Sequence, residues 1–293
     1  MNSDPSPPQR RDFRYLERLR VRWAEVDMQQ IVFNGHYLMY FDTAVAGYWR
    51  ALALPYQASM AALGGDLYVR KATLDYEGSA RYEELLDVGI RCARIGNSSM
   101  VLQAAVFRGE QRLVHGELVY VFADPATQTA RPVPGALREV LQGFEAAQAM
   151  VDVRVGDWAA LGADARAVRD AVFIQEQGIP AALEHDAADA VAVHAVAFNR
   201  LGRALGTGRL LAVEPGVARI GRMAVLAGVR GAGVGRPLLA ALLAAARQRG
   251  DREVLLHAQA SAVGFYARTG FTPRGPAFEE AGIAHQEMFI TLG

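Results

Sequence analysis

The chain has 293 residues, 52% of them hydrophobic and 21% charged, which is the composition of a folded globular protein rather than a disordered one. This length is enough for two ordinary domains, each with its own hydrophobic core. Lys plus Arg and Asp plus Glu each number 31, so the formal net charge is zero, and this balance argues against a nucleic-acid partner.

The first half predicts one long helix followed by an antiparallel meander. Residues 12–27 are expected to form a strand that ends in a loop at Asp27. From Asn34 to Leu52, apolar residues recur every three or four positions, which predicts an amphipathic helix with Asn34 as its N-cap. A long helix beside such a meander predicts a sheet that wraps the helix. The alternating segments lie near residues 68–77, 85–94, 99–108 and 112–123, and a last helix lies near 136–148.

The second half has the element order of a mixed α/β domain. Apolar residues recur every three or four positions in some of its segments, as in helices, and alternate in others, as in strands. The second half does not repeat the first. We therefore expect two domains, at residues 12–147 and 150–293. The predicted strands lie near 151–155, 192–199, 205–213, 218–226, 253–258 and 286–292, and the predicted helices near 157–175, from a glycine-rich loop to about 248, and near 261–268.

Cysteine content and apolar runs indicate the cellular setting. Cys92, the single cysteine, cannot form an intramolecular disulfide, which fits a reducing compartment. It alternates with Val88 and Ile90, so a buried strand residue is favoured over a nucleophile. The polar, proline-rich segment to Arg11 lacks the apolar core of a signal peptide, and the longest apolar run, near 238–246, is far shorter than the ~20 residues of a membrane span. We expect a cytoplasmic protein without a membrane partner.

Asp27 and the start of the following helix form the first candidate site. A carboxylate at the end of a strand could attack a thioester carbonyl, or activate a water molecule to do so. The first free backbone N–H groups of the helix, near Asn34 and Gly35, could hold the oxyanion charge that then develops. From spacing alone, a role for Asp27 as a mere turn cap stays open, because Asp is common in turns.

Several short segments resemble the 4-hydroxybenzoyl-CoA thioesterase branch of the hotdog family, over about residues 19–144. They are Glu25-Val26-Asp27, Ile31-Val32-Phe33-Asn34, His36-Tyr37-Leu38, Phe41-Asp42, Asp75-Tyr76 and the turn at 95–99. The resemblance implies a hotdog fold in which the acid at Asp27 is the catalytic nucleophile or base and the backbone N–H at Asn34 binds the carbonyl. It also implies an acyl-CoA substrate and sites built across a dimer interface, so we expect a homodimer or homotetramer. The sequence departs from the family pattern at Gln30, where Gly is usual, and at Asn34, where an aromatic residue or His is frequent.

A glycine-rich loop forms the second candidate site. It consists of Arg230, Gly231, Ala232, Gly233, Val234 and Gly235, between a strand at Met223, Ala224 and Val225 and an Ala/Leu-rich helix. Glycines let successive N–H groups face one point, and the helix start adds the positive end of its dipole. The loop is therefore expected to hold a pyrophosphate, together with Arg230 and Arg236, while a splayed strand at 223–225 would leave backbone groups free to pair with pantetheine amides.

Two other nucleotide-binding arrangements compete for this loop. A dinucleotide fold needs the glycines after the first strand of a βαβ unit and an acidic residue about twenty positions further on. A nucleotide P-loop needs a Lys followed by Ser or Thr. Neither pattern is present, so acyl-CoA binding is favoured.

The strand at 223–225, the loop, Gln259 and the segment from Phe265-Tyr266 to Gly270-Phe271 together resemble the GNAT acyltransferase family, over about residues 150–291. The resemblance implies that acetyl-CoA or another acyl-CoA is the donor substrate and that an amine is the acceptor. Tyr266 is the candidate acid that would protonate the departing CoA thiolate, whose pKa is close to a thiol's ~8.5, and a purely packing role for it is the alternative. The base that takes the amine proton stays open among Glu176, Glu184, His194, Glu280 and an ordered water molecule.

The sequence contains no motif typical of a metal site or of a Ser-His-Asp triad. The six His and the single Cys lack metal-ligand spacing, and no Gly-x-Ser-x-Gly elbow occurs, so we expect no metal. The leading hypothesis is a bifunctional enzyme, a hotdog acyl-CoA thioesterase joined to a GNAT N-acetyltransferase. In one alternative only the acetyltransferase is active, and the hotdog half is a dimerising, acyl-CoA-sensing module, which Gln30 motivates. In another, both halves are CoA-responsive interaction domains without catalysis.

Overall fold

The chain divides into two compact units, Met1–Met150 and Val151–Gly293. The computed structural model describes residues 7–280 and 282–293, so part of the N-terminal segment considered above lies outside the described residues. Among those that are described, no helix is both long and apolar enough to cross a membrane.

The first unit is an antiparallel sheet with one long helix against it. Its elements are β1 (Tyr15–Arg20), α1 (His36–Ala51), α2 (Tyr56–Leu63), β2 (Asp66–Tyr76), β3 (Leu85–Ile95), β4 (Ser99–Arg108), β5 (Gln111–Ala123) and α3 (Gly135–Glu145). The strand order is β1-β3-β4-β5-β2, and every neighbouring pair is antiparallel. This is the helix-and-meander arrangement of the hotdog fold that the sequence predicts.

Helix α1 supplies the centre of this unit's core because one of its faces is aromatic. Tyr37, Phe41 and Tyr48 are at most 2% exposed. Each buried side chain of this size contributes about 1.5–3 kcal/mol through the hydrophobic effect. Gly47 lets the helix approach the sheet closely, since a Cβ at this position would lie 1.8 Å from the Tyr15 hydroxyl. The start of α1, where the first candidate site lies, is thereby fixed against the sheet.

The structure corrects three expectations in the first unit. The first strand ends at Arg20, and a 3-10 turn, Trp23–Glu25, leads from it towards Asp27. Gly35, and not Asn34, occupies the N-cap position of α1, and no side chain caps this helix. Helix α2 was not predicted, because its apolar and small residues are spread around the helix rather than gathered on one face; Gly64 ends it in the left-handed conformation.

The second unit is a mixed sheet with helices, as the sequence predicts. Its elements are β6 (Val151–Gly156), α4 (Trp158–Arg169), α5 (Ala181–Glu184), β7 (Val193–Asn199), β8 (Ala204–Glu214), β9 (Val217–Val225), α6 (Gly235–Arg249), β10 (Glu253–Gln259), α7 (Val263–Ala267), β11 (Thr272–Pro273), β12 (Phe278–Glu280) and β13 (Ile283–Thr291). The strand order is β11-β13-β10-β9-β8-β7-β6, with β12 paired to β13. The pair β9–β10 is parallel, whereas the other pairs of this sheet are antiparallel.

Short elements account for most of the differences in the second unit. The helix expected at 157–175 is α4 followed by a π-helical segment, Asp170–Glu176. The helix expected at 261–268 is a 3-10 turn, Ala260–Ala262, followed by α7. Elements α5, β11 and β12 were not predicted, because two to four residues are too few to display a hydrophobic period.

Candidate acyl-CoA sites

A tight loop in the first unit holds Asp27. A bridge between Val26 and Val32 closes the loop, and the Asp27 N–H donates to the Ile31 carbonyl oxygen at 2.9 Å. Oδ1 of Asp27 accepts a hydrogen bond from the Gln29 N–H at 2.8 Å, which is the turn-capping bond considered for this residue. Oδ2 accepts none from the described residues, and the side chain is half-buried. One carboxylate oxygen therefore stabilises the loop, while the other has no hydrogen-bond partner among the described residues.

Gln30 adopts the left-handed backbone conformation in this loop, with a φ of 61°. Its N–H donates to the Asp27 carbonyl oxygen at 2.9 Å. For a residue with a Cβ, the left-handed conformation costs roughly 1–2 kcal/mol, whereas Gly adopts it freely. This backbone requirement explains why Gly is favoured at the position, and Gln30 fulfils it at a cost in strain.

Glu25 is a buried acid beneath the loop whose role sequence analysis missed. It is 3% exposed and accepts hydrogen bonds from the Arg22 N–H at 2.8 Å and the Tyr40 hydroxyl at 2.7 Å. Burial opposes its ionisation, but these donors and the Arg22 guanidinium outweigh burial and lower the pKa of Glu25. Because the Tyr40 hydroxyl of α1 and the Phe33 N–H of the loop both donate to Glu25, this residue ties the loop to α1. The Arg22–Glu25 spacing of three residues was the available signal.

The start of α1 presents backbone N–H groups beside the same loop. Within the described part of the chain, the N–H groups of Asn34 and Gly35 donate to no backbone acceptor. The Tyr76 hydroxyl donates to the Asn34 carbonyl oxygen at 3.2 Å and thereby holds this turn. The predicted carboxylate and the predicted oxyanion donors are thus parts of one short, internally bonded segment.

In the second unit, β9 and β10 separate midway along their length. They pair in parallel only where Val217–Ile220 faces Glu253–Leu256. Beyond this stretch, β9 continues along β8 to Val225, while β10 continues along β13 to Gln259. A cavity of about 410 Å³ lies where the strands diverge. The predicted pantetheine-binding residues, Met223, Ala224 and Val225, lie on the diverging half of β9.

A β-bulge at Arg222 accompanies the divergence. Gly221 pairs with Arg209 and Ala224 with Thr207, so β9 contains one residue more than β8 between these pairs. Arg222 has a φ of 53° and donates to the carbonyl oxygens of two residues at the end of α5. Since a bulge increases the local twist of a strand, this anchored bulge accounts for the separation of β9 from β10.

The glycine-rich loop has the backbone geometry of an anion site. Gly231 and Gly233 have φ values of 85° and 82°, and a Cβ at either position would meet no atom within 4 Å. Neither residue's N–H donates to a backbone acceptor in the described part of the chain. Helix α6 starts at Gly235, and the first N–H groups of a helix have no intrahelical partner. The loop and the helix start together offer several donors to one anion.

The two arginines of this site differ in their surroundings. Arg230 forms a bidentate ion pair with Glu176 at 2.6 and 2.7 Å, and its Nε donates to the Val225 carbonyl oxygen at 3.0 Å. Arg230 therefore ties the end of β9 to the π-helical segment, and it would have to leave Glu176 to reach a phosphate. Arg236 is exposed in the first turn of α6 and forms no ion pair with the residues that the structure describes.

Tyr266 lies in the cavity wall and is 7% exposed. Its ring packs edge-on against Phe265 and Phe271, with centroids 5.0 and 5.8 Å away. Burial raises the pKa of Tyr266 to about 12, so the hydroxyl stays protonated at neutral pH. Gln259 also lines the cavity, and its side-chain amide donates to Gln177 at 3.1 Å.

The four candidate bases occupy different environments. Glu184 and Glu280 line the cavity. Burial raises the pKa of Glu184, although Arg169 and Arg222 oppose this shift. His194 is 1% exposed, and burial lowers its pKa. Glu176 is held by Arg230, and this ion pair lowers its pKa.

His257 is a cavity residue that sequence analysis missed. It lies on β10 two residues before Gln259, and its Nδ1 is 3.3 Å from the Glu280 carboxylate. Alternation along β10 places both side chains on the same face, and this was the signal available in the sequence.

A buried ion network supports the cavity wall. Arg169 and Arg209 are 1% and 4% exposed, and both bond Asp189, at 2.8 and 2.7 Å. Arg169 also pairs with Glu184, and Arg209 pairs with Asp186 at 2.6 Å. The network joins α4, α5 and β8. Its partners are 15 to 23 residues apart in the chain, so no local pattern reveals them.

The described residues contain neither a reactive cysteine nor a group of side chains that could hold a metal ion. Cys92 is half-buried, and burial raises its pKa to about 12, so the thiol is a poor nucleophile at neutral pH. Within residues 7–280 and 282–293, no group of three or more His, Cys, Asp or Glu side chains could hold a metal ion.

Known proteins match the two halves of the chain separately. The thioesterase superfamily model matches residues 29–115, and the acetyltransferase (GNAT) domain model matches residues 156–292. The uncharacterized N-acetyltransferase YjcF of Bacillus subtilis is 36% identical over 43% of this chain and 89% of its own length. The acyl-CoA thioester hydrolase YbgC of Escherichia coli is 24% identical over 41% of this chain and 89% of its own length. A crystal structure of a thioesterase complexed with coenzyme A and Zn from Thermus thermophilus is 22% identical, covers 46% of this chain and 97% of its own, and has a TM-score of 0.41.

Proposed function

We propose that this chain acts on acyl-CoA at two sites. Its second unit belongs to the GNAT acetyltransferase family, and its first unit matches the thioesterase superfamily model over residues 29–115. The first unit hydrolyses an acyl-CoA thioester. The second transfers an acetyl or other acyl group from CoA to an amine. Both families use CoA thioesters as substrates.

In the first unit, Asp27 attacks the thioester carbonyl carbon or deprotonates a water molecule that attacks it, and the carbon–sulfur bond then breaks to release CoA. If Asp27 itself attacks, water hydrolyses the resulting anhydride and frees the carboxylate. The N–H groups of Asn34 and Gly35 stabilise the oxyanion that forms on the carbonyl oxygen. Support comes from the open Oδ2 of Asp27 and from the absence of backbone acceptors for these two N–H groups among the described residues.

In the second unit, the residues from Met223 to Val225 pair with pantetheine amides. The N–H groups from Gly231 to Gly235 bind the pyrophosphate, assisted by Arg236 and by Arg230 when it leaves Glu176. Gln259 borders the acyl group, and Tyr266 donates its proton to the departing sulfur. Burial keeps Tyr266 protonated by raising its pKa, and a thiolate in the same cavity would be a stronger base than one in water for the same reason.

The observation that carries the transferase proposal is the opening between β9 and β10. It exposes backbone of β9 in line with the glycine-rich loop, and Tyr266 lies in the wall of the cavity so formed. The test incubates the chain with a series of acyl-CoAs, with and without amines, and measures thiol release and N-acyl product by mass spectrometry. Thiol release without amine supports the hydrolase, and N-acyl product supports the transferase.

A second candidate function has the first unit as an acyl-CoA sensor. The strained Gln30 favours it, because this residue replaces the usual Gly in the loop that holds Asp27. On this alternative, no acyl-CoA of any chain length is hydrolysed, while acetyl transfer to an amine continues. The same experiment therefore separates the two candidates.

We also propose that the first unit pairs with a second copy of the chain. Large apolar side chains around the Asp27 loop are exposed, Trp23 by 74% and Phe33 by 50%. A homodimer or homotetramer would cover them. A cytoplasmic location stays a prediction that rests on the cysteine content. Sedimentation of the purified chain measures the oligomeric state.

A further inference from the structure

The floor of the second unit's cavity is a polar strip across three strands. Arg219 on β9 lies opposite Leu255 on β10, and His257 follows two residues later, about 7 Å along the strand. His257 in turn lies opposite Glu287 on β13. Paired residues of neighbouring strands share a face, so Arg219 and His257 lie on the same side of the sheet. Both line the cavity.

The cavity's three arginines differ in how their charge is compensated. Arg209 pairs with Asp186 and Asp189, and Arg222 pairs with Glu184 and Asp186. In contrast, Arg219 makes no ion pair or hydrogen bond with the residues that the structure describes. It therefore offers a guanidinium that matches a carboxylate in charge and geometry.

The other end of the strip suits an amine. The His257 imidazole has the Glu280 carboxylate 3.3 Å from Nδ1 and the Glu287 carboxylate 3.8 Å from Nε2. Gly221 lies one residue beyond the last β9–β10 pair, Ile220 and Leu256, and leaves open space, since a Cβ there would meet no atom within 4 Å. An ammonium group entering this space is attracted by the Glu280 carboxylate, whereas Glu287 is already paired with Arg274 at 2.7 Å, and the imidazole can take one of the ammonium protons.

Apolar side chains form the wall above the strip. Phe173, Ile179 and Leu183 line the cavity from the π-helical segment, the following turn and α5. A volume of about 410 Å³ lies within the range of small-molecule sites. A ligand that fills it must therefore carry an apolar group that faces this wall, in addition to the charged groups that face the strip.

We propose that the acyl acceptor is an α-amino acid with an apolar side chain, its carboxylate bound by Arg219 and its amine by His257. This assignment rests on the proposed transferase function. The ammonium gives one proton to His257, and its nitrogen forms a bond to the thioester carbonyl carbon. The carbon–sulfur bond then breaks, and a second amine proton reaches the sulfur through Tyr266. The products are an N-acyl amino acid and CoA thiol, and His257 returns its proton to solvent.

The test supplies acetyl-CoA and three matched acceptors: leucine, leucinamide and 3-methylbutylamine. Leucinamide keeps the size of leucine without the negative charge, and 3-methylbutylamine lacks the carboxyl group altogether. We expect kcat/KM for leucine to exceed that for either neutral acceptor by about 10- to 100-fold. Arg219→Gln removes this preference by raising KM for leucine, without loss on the neutral acceptors. The matched control, Arg247→Gln, changes an exposed arginine of α6 outside the cavity and leaves all three values unchanged.

A second variant tests the amine end. His257→Gln is expected to lower transfer to every acceptor about 100-fold, and its kcat/KM rises with pH as the amine itself loses its proton. An unchanged pH profile removes His257 from proton transfer.

Other outcomes overturn the acceptor assignment. Equal rates for leucine and leucinamide contradict it, as does equal loss by Arg219→Gln on all acceptors. Acetyl-CoA binding at the glycine-rich loop is detected as greater protection of the wild-type chain than of Gly233→Ala from thermal unfolding. If this binding occurs but leucine, methionine and phenylalanine all remain unacetylated, the acceptor assignment also fails. If acetyl-CoA protects neither chain, the transferase function itself is wrong.

Discussion

At the scale of single residues, the two oxygens of Asp27 have different partners, and this division leads to a prediction. Asp27→Asn keeps the Oδ1 that accepts the Gln29 N–H, but an amide can neither attack a carbonyl nor deprotonate water. We expect thioester hydrolysis to fall by about 100- to 10,000-fold while acetyl transfer is unchanged. Thiol release and N-acetyl product are measured on the same preparation. Asp152→Asn, at an exposed carboxylate of β6, is the control. Retained hydrolysis would remove Asp27 from the mechanism.

Gln30 is the residue at which loop strain can be measured. Gln30→Gly relieves roughly 1–2 kcal/mol of left-handed strain, and the more flexible unfolded chain offsets about half of it. We expect a net gain of about 0.5–1 kcal/mol in the free energy of unfolding, measured by urea denaturation. Gln29→Gly, one residue earlier, has no positive φ to relieve and is expected to lose stability. A loss for Gln30→Gly would mean that its side chain stabilises the loop.

A substitution at Tyr266 distinguishes a role as catalytic acid from a role in packing. Tyr266→Phe keeps the ring against Phe265 and Phe271 but removes the hydroxyl. We expect acyl transfer to fall by about 100-fold or more, with unchanged affinity for CoA. Burial raises the pKa of Tyr266 to about 12, so the wild-type residue is almost fully protonated up to about pH 10. Transfer should consequently show no loss between pH 8 and 10 from its ionisation. A pH–rate profile measures the pH dependence of transfer, and calorimetry measures the affinity for CoA. Wild-type activity in the variant would mean that Tyr266 only packs.

At the scale of elements, helix α6 has a left-handed glycine before its start and another after its end. Gly233 has a φ of 82° and Gly250 a φ of 87°, and a Cβ at either position would have open space. Gly233→Ala and Gly250→Ala therefore introduce the same backbone strain, roughly 1–2 kcal/mol. Only Gly233 lies in the proposed pyrophosphate loop, so we expect its variant alone to weaken acetyl-CoA binding, by about tenfold. Equal affinities in calorimetric titration of the two variants would contradict the loop's role.

Sequence patterns predicted those elements that are long enough to repeat. The aromatic stripe of α1, the alternating strands β3 to β5 and the loop before α6 follow from periodicity and turn residues. Three features of the sites could not be predicted from such patterns. The N-cap at Gly35 follows a loop that is bonded to Glu25, and the Arg169 network joins residues distant in the chain. His257 appears in the sequence as one polar residue of an alternating strand, and only the divergence of β9 turns that position towards a cavity.

At the scale of the whole molecule, one chain that both hydrolyses and transfers acyl groups must divide its donor between water and amine. If both units accept the same acyl-CoA, the wild-type chain releases more CoA than it forms N-acyl product. Asp27→Asn should bring the ratio of CoA to N-acyl product to one, and Tyr266→Phe should release CoA with little product.

Mass spectrometry of both products from a limiting amount of acyl-CoA measures this ratio. A ratio of one in the wild-type chain would mean that the first unit does not hydrolyse that thioester, as the sensor alternative requires. Excess CoA in Asp27→Asn would assign the hydrolysis to a group other than Asp27. Because each substitution affects a different reaction, the double variant should lose both reactions by the same factors as the single variants.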